Sequence, residues 1–423
     1  MEFVTAREAA QRWKISERYV QMYCTNGRIE GAKKLGGAWM IPANAPRPLD
    51  MRRNDAKAEK ARTQKVDVGK LAFMPLPLMN TPFASGCMRE AVEAMQNEDE
   101  RNIAWAEFSY YTGHAKEAVR MAKPYLESAY LELKMSAFFI YGSANLSLGN
   151  IEETRRIVGR AFEIFRSMDE NTPRIHQGLV VFVCGAFDIL LHLPRSRELP
   201  DMQTFIPMFP LGLQLFAAYV QARYGYLNGL HGTAIGIAET ALVLVEGINP
   251  ISGVFIRLMC AMSYMHTQYP QMAKRHLAAA WAAAKADDLI QPFGEFHSEL
   301  WGMLEAVLKT EEPEAFRRMI RIAKSYGAGW AELHNAMTGH QVPTNLTPTE
   351  FTIARLAAMD WTNAQISTHL GISESRVKKC ITLTLQTLQS SSVSNSKTIC
   401  CTEIKPFSRR MVCVQNEHYA ALF

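Results

Sequence analysis

Twice in this 423-residue chain an Ile-Ser-Glu triplet is followed at once by basic, amide and hydroxyl side chains: "ISERYVQMYC" from Ile15 and "ISESRVKKCITL" from Ile372. Arginine, lysine, glutamine and tyrosine hydrogen-bond phosphate oxygens and base edges. A helix gathers such residues on one stripe when they recur three and four positions apart. Arg18, Tyr19 and Gln21 in the first run, and Ser375, Arg376, Lys378, Lys379 and Thr382 in the second, are the candidates for holding a polyanion. Catalytic chemistry has no comparable arrangement. There is no Gly-x-x-x-x-Gly-Lys-Ser/Thr phosphate loop, no His-Glu-x-x-His, no Gly-x-Ser-x-Gly and no dinucleotide glycine turn. His176, His266, His276 and His297 lack ligand spacing, and Asp287-Asp288 reads as a helix end rather than an acid/base pair. The expectation is no catalytic residue, no metal and no cofactor.

Charge sharpens the candidates. Residues 1–70 carry 15 Lys/Arg against 8 Asp/Glu and residues 340–423 carry 8 against 5, whereas the middle holds 23 against 28. Two basic ends around an acidic centre point to a polyanionic partner for the ends alone. The eight cysteines, at 24, 87, 184, 260, 380, 400, 401 and 413, form no Cys-x-x-Cys pair and read as reduced thiols. With no long apolar run and no signal-like N-terminus, the expectation is a cytoplasmic protein with no membrane partner.

The elements that position the first candidates begin with "VTAREAAQRW", a helix capped by Thr5 with Ala9, Ala10 and Trp13 inward. Ile15 plugs the turn, Ser16 caps a second helix, and Glu17 suits the positive end of its dipole. Val20 and Cys24 face in; Arg18, Tyr19, Gln21 and Met22 face out; Gly27 stops the helix. "GRIEGAKKLGGAWMIP" is a hairpin around Gly36-Gly37, with Lys33 and Lys34 on its first arm. Through "TAREAA", "ISERYVQ", "NGRIEGA" and "GAWMIP", residues 3–46 resemble the excisionase-type, MerR-like winged helix-turn-helix. That resemblance implies DNA binding, with Arg18, Tyr19, Gln21, Arg28, Lys33 and Lys34 at the DNA.

Residues 50–85 read as a linker: charged and alanine-rich to about residue 70, then "FMPLPLMNTPF", whose prolines favour an extended course over a helix. From 86 to 340 the pattern is helical, with small residues recurring in a register carried by Ala106/Ala118, Gly142/Ala161, Ala222/Ala234/Ala241 and Ala261/Ala273/Ala280. Tyr125 and Thr154 are its two misfits, and the long interval between Gly142 and Ala222 leaves space for one more pair around Gly185-Ala186. That spacing is the packing logic of tetratricopeptide-type repeats. Trp281, Phe293 and Trp301 read as inter-helix packing, with a ligand groove lined by some of them as the alternative. "LIQPFGEFHSELWGML", from Leu289, resembles a segment of the maltose-activator type of transcription factor, in which an effector-sensing superhelix precedes the DNA-binding end.

In "NLTPTEFTIARLAAMDWTNAQISTHLGISESRVKKCITLTLQTL", Thr347 caps a first helix whose inward side includes Phe351, Ala354, Leu356 and Ala357. Thr362 or Asn363 caps the second, carrying Ile366 and Leu370, and Gly371, Ile372 and Ser373 make the turn into the third. Val377 and Ile381 point inward there. "LTPTE", "TNAQIS" and "LGISESRVKK" resemble the LuxR-type helix-turn-helix. The resemblance implies that Lys378, Lys379 and Thr382 face bases while Thr362 and Asn363 lie near phosphate. Two departures stand out: Thr382 replaces a longer side chain, and "LQTLQSSSVSNSKT" stands where the family has its fourth, often dimer-forming helix.

The expected architecture is mainly α: a winged helix-turn-helix at 1–49, a linker at 50–85, a helical-repeat sensor at 86–340, a LuxR-type helix-turn-helix at 341–390 and a tail at 391–423. The expected function is a bacterial transcription regulator that binds double-stranded DNA under a small-molecule or protein effector, with RNA polymerase as a further partner and self-association as an option. The rivals are an accessory factor of recombination and a helical-repeat scaffold.

Overall fold

The computed structural model of the chain describes residues 3–29, 31–46, 69–194, 196, 198–245, 248–339, 342 and 346–391. The tail beyond Ser391, and most of the charged stretch read as a tether, lie outside these residues. The fold is mainly helical, and no described helix is long and apolar enough to cross a membrane. The chain divides into two compact units, Met1–Asp67 and Val68–Phe423.

In the first unit, α1 (Ala6–Trp13) and α2 (Glu17–Thr25) pack on a three-stranded antiparallel sheet of β1 (Phe3–Thr5), β2 (Lys33–Leu35) and β3 (Ala38–Pro42), in the order β1-β3-β2. Thr5 closes a capping box with Glu8, satisfying amides that the first turn leaves open. Ala9, Ala10, Trp13, Val20, Tyr23, Cys24, Ile29 and Ile41 form the core. Gly36 and Gly37, at φ +56° and +90°, make the tight hairpin turn. Two features depart from expectation. Phe3–Thr5 is a strand, paired Phe3 to Pro42 and Thr5 to Met40. Ser16 occupies the N-cap of α2 but its hydroxyl accepts no bond; its carbonyl receives the Tyr19 and Val20 amides instead.

The second unit is built of antiparallel helix pairs. After α3 (Pro77–Asn80) and α4 (Met88–Glu93) come α5 (Glu98–Tyr111) with α6 (Ala115–Ala122), and α7 (Leu131–Ser147) with α8 (Ile151–Ser167). A single α9 (Arg174–Leu190) comes next, then α10 (Leu211–Leu227) with α11 (His231–Val245), and α12 (Pro250–His266) with α13 (Pro270–Ala284). Short α14 (Gln291–Glu295) and α15 (Met303–Val307) lead into α16 (Pro313–Thr338), and α17 (Pro348–Ala358), α18 (Asn363–Leu370) and α19 (Glu374–Ser391) end the described chain. Ala106, Ala118, Ala161, Ala222, Ala234, Ala261, Ala273 and Ala280 are fully buried, as close helix approach requires. Thr154 is buried too, and its hydroxyl donates to the Gly142 carbonyl at 3.0 Å.

The interval around Gly185-Ala186 holds one helix rather than a pair. Pro194, Pro200, Pro207 and Pro210 interrupt the segment between α9 and α10, where the described residues form two single 3-10 turns. The proline-punctuated segment before residue 86 is not wholly extended: Pro77, whose ring presets helical φ, opens the turn of α3. Leu76, Leu78, Met79 and Phe83 are buried there, so residues 69–85 belong to this unit rather than to a linker. Of the stretch that stands in place of the family's fourth helix, residues 385–391 prolong α19 to Ser391, and the rest lies outside the described residues.

Candidate nucleic-acid interface

On α2, Arg18, Tyr19, Gln21 and Met22 are exposed while Val20, Tyr23 and Cys24 are buried. Gln21 Nε2 donates to Glu17 Oε1 at 3.3 Å, which ties the amide to the first turn. Arg28 lies over the Tyr23 ring, 5.1 Å from its centroid, so its guanidinium is partly pre-positioned. Lys33 and Lys34 are exposed on β2, an edge strand paired Lys33 to Met40 and Lys34 to Trp39. Strand alternation sends them to opposite faces of the hairpin, so one flat contact cannot engage both.

The C-terminal helices are assembled by local rules. Thr347 with Glu350, and Thr362 with Gln365, form capping boxes at the starts of α17 and α18. The Thr362 hydroxyl is thereby engaged as an acceptor for the Gln365 amide, at 3.2 Å. Gly371 takes φ +62° in the turn, and Ser373 Oγ accepts from the Arg376 amide at 3.3 Å to start α19. Val377 and Thr384 are buried and Ile381 half-buried, while Ser375, Arg376, Lys378, Lys379 and Thr382 are exposed. Ser375, Lys378, Lys379 and Thr382 stand at i, i+3, i+4 and i+7, one continuous stripe, and Arg376 flanks it. Asn363 is half-buried at the first turn of α18.

The other side of these helices meets the helical pairs. Ile353, Leu356, Ile366, Leu370 and Val377 belong to the same continuous core as α5 to α16. Thr352, Ile353 and Arg355 on α17 are buried beyond the side expected from the sequence, because this helix also packs on residues 297–299. Trp301 and Gly302 both take positive φ, +56° and +75°, and a side chain on Gly302 would collide with Leu370 of α18. His369 Nε2 donates to the Trp301 carbonyl at 2.7 Å.

A charged cluster lies behind this contact. Arg223, on α10, donates from both terminal nitrogens to the two Glu299 oxygens, each at 2.6 Å, and one of them also meets His192 Nε2 at 2.8 Å. Burial alone would push the Glu299 carboxyl up, but Arg223 overrides it and holds it at about 2. Burial, then Arg223, lowers His192 to about 3; burial, then His231 and Arg355, lowers His266 to about 3. Arg355 lies 4.3 Å from the Trp301 ring centroid. None of Arg223, Glu299, Arg355 and His192 was singled out from the sequence. The available signal was an ionised side chain inside an apolar run, as in "FAAYVQARYGYL" around Arg223.

The remaining candidates are placed as packing. Asp287 accepts the Gly86 and Met88 amides at 2.6 and 2.9 Å, and Asp288 pairs with Arg318. Trp281 meets Phe293 edge-on, His276 stacks on Tyr264, and His297 bonds Glu305 at 2.9 Å. Among the described residues no group of His, Cys, Asp and Glu is placed to hold a metal ion. No family model matches the chain, and no curated protein matches it.

Proposed function

We propose that the chain is a sequence-specific DNA-binding regulator of transcription, bacterial and cytoplasmic, without enzymatic activity or cofactor. In this reading the first unit is a winged helix-turn-helix of the excisionase and MerR-like kind. Helices α5 to α16 are a tetratricopeptide-like sensor, and α17 to α19 are a LuxR-type helix-turn-helix. The observation that carries it is the exposed stripe Ser375, Lys378, Lys379 and Thr382. It sits on a helix whose start is fixed by a glycine turn and a serine cap, and whose opposite side is locked into the core. Such a stripe is where a major-groove helix carries its base contacts. The solvent side of α2 gives a second, with Arg18 and Gln21 toward bases and Lys33 or Lys34 toward phosphate. An effector of the helical pairs acts on α17 through the residues it touches, and RNA polymerase is the expected partner at a promoter.

Sequencing the genomic DNA retained by the full chain tests this reading. Enrichment of promoter-proximal sites supports it. Enrichment of recombination attachment sites transfers the chain to an accessory role in recombination, and no retained DNA leaves a helical-repeat scaffold as the better description.

A further inference from the structure

The contact between the helical pairs and α17 leaves one positive charge over. Arg223 is matched by Glu299; Arg355, 4 % exposed, makes no ion pair among the described residues and shares only the field of that same Glu299. One of its terminal nitrogens donates to the Ser298 carbonyl at 3.5 Å, the outer limit for such a bond, and the other has beside it the uncharged Tyr226 hydroxyl, short of full bonding geometry. Trp301 Nε1 and Arg223 Nε are two further buried donors without acceptors in the same cluster. His192 and His266 face it from α9's end and from α12, and burial keeps both neutral at ordinary pH, so neither alters the balance. A guanidinium does not release its proton, and a buried charge without a counter-ion is strongly disfavoured. What the cluster lacks is an acceptor carrying one negative charge.

We propose that this joint is a binding site for a small monocarboxylate, held by the in-plane fork of Arg355 between α17 and the 297–303 segment. Trp301 lies over the Arg355 guanidinium, and along its edge one terminal nitrogen makes only the long bond to Ser298 while the other lacks a full bond. A planar two-oxygen acceptor matches such an edge as Glu299 already matches Arg223. One negative charge neutralises the surplus, whereas a dianion inverts it. The ligand would bridge the helical pairs and the helices that carry the Lys378 stripe, and so favour their docked arrangement over an opened one. Its meaning as an effector rests on the regulatory reading above; the site itself does not.

The test contains no DNA, so it stands or fails separately from DNA binding. Thermal unfolding and amide exchange over residues 348–358 are followed in the full chain with sodium acetate as probe, at ionic strength fixed with sodium chloride. Inorganic phosphate serves as a parallel arm. The expected result is a saturable rise in midpoint and slower exchange with acetate, a smaller response to phosphate, and loss of the saturable part in Arg355→Gln. Arg355→Lys keeps the charge but not the fork and is expected to weaken half-saturation about tenfold, which covers the case in which the glutamine variant does not fold. An acetate response equal in wild type and Arg355→Lys, a phosphate response exceeding that of acetate, or no saturable response in wild type overturns the proposal.

Discussion

Glu107 on α5 is fully buried and accepts the Leu78 and Met79 amides at 2.9 and 3.1 Å, which fastens the strap at 69–85 to the helical pairs. Burial pushes its carboxyl up to about 8, against the pull of those two amides. The folded state therefore holds a proton that the unfolded chain releases near 4.5. The contribution is fully present below that value and is lost as pH rises through about 8, with a limiting slope of about 1.4 kcal/mol per pH unit. Glu107→Gln, always neutral, is expected to flatten the fall in urea midpoint between pH 7 and 8, above the range of Glu295, which burial raises to about 7. An unchanged slope contradicts this. Glu299 has the opposite sign: its folded value is depressed, so its contribution is present above the ordinary carboxyl range and lost as pH falls toward 2. Glu299→Gln leaves the Arg223 charge buried and is expected to cost about 3–5 kcal/mol in chemical denaturation at pH 7. These sites were not legible beforehand. Arg223 and Glu299 lie 76 positions apart, and nothing local marks them as partners. The outward candidates were legible because helix period alone sorts Arg18 from Val20 and Lys378 from Val377.

At the scale of elements, the capped helices and the glycine turns arise from short-range rules. Thr5, Thr347 and Thr362 each bond a residue three positions on, and Gly27, Gly36, Gly37 and Gly371 occupy backbone conformations that favour glycine. The misses were set by tertiary packing or by proline: β1 pairs with a strand far along the chain, and the helix expected after α9 is broken by four prolines. The small-residue register makes a prediction within one helix. Ala280 on α13 is fully buried and Ala278 is exposed. Ala280→Leu is expected to lower stability by about 1–3 kcal/mol, whereas Ala278→Leu leaves it within about 0.5 kcal/mol. Equal midpoints for the two variants would count against close helix approach at Ala280. Gly302 tests the joint: Gly302→Ala forces a side chain into a left-handed residue and against Leu370. The expected loss is about 1–2 kcal/mol, together with faster amide exchange over 348–370. Exchange unchanged there means that α18 does not depend on this contact.

For the whole molecule, the proposed function joins the charge asymmetry to the two exposed stripes: in that reading the basic ends would engage DNA, and the acidic middle would position one of them. The stripe on α19 is fixed to the helical pairs through α17 and α18, so a change at the joint has a physical route to that stripe. The stripe on α2 belongs to a unit with its own core. Its grip on DNA is expected to add to that of α19 as an effective concentration rather than as a new contact. The most direct measurement is the affinity of the full chain for a selected genomic site and for random DNA at one salt concentration, in wild type and in Lys378→Ala. The account predicts a wild-type preference of about a thousandfold or more for the site, and a loss of about 1–3 kcal/mol at the site in the variant with a much smaller change on random DNA. Equal wild-type affinity for both DNAs, or a variant whose loss is the same on both, contradicts base reading by α19.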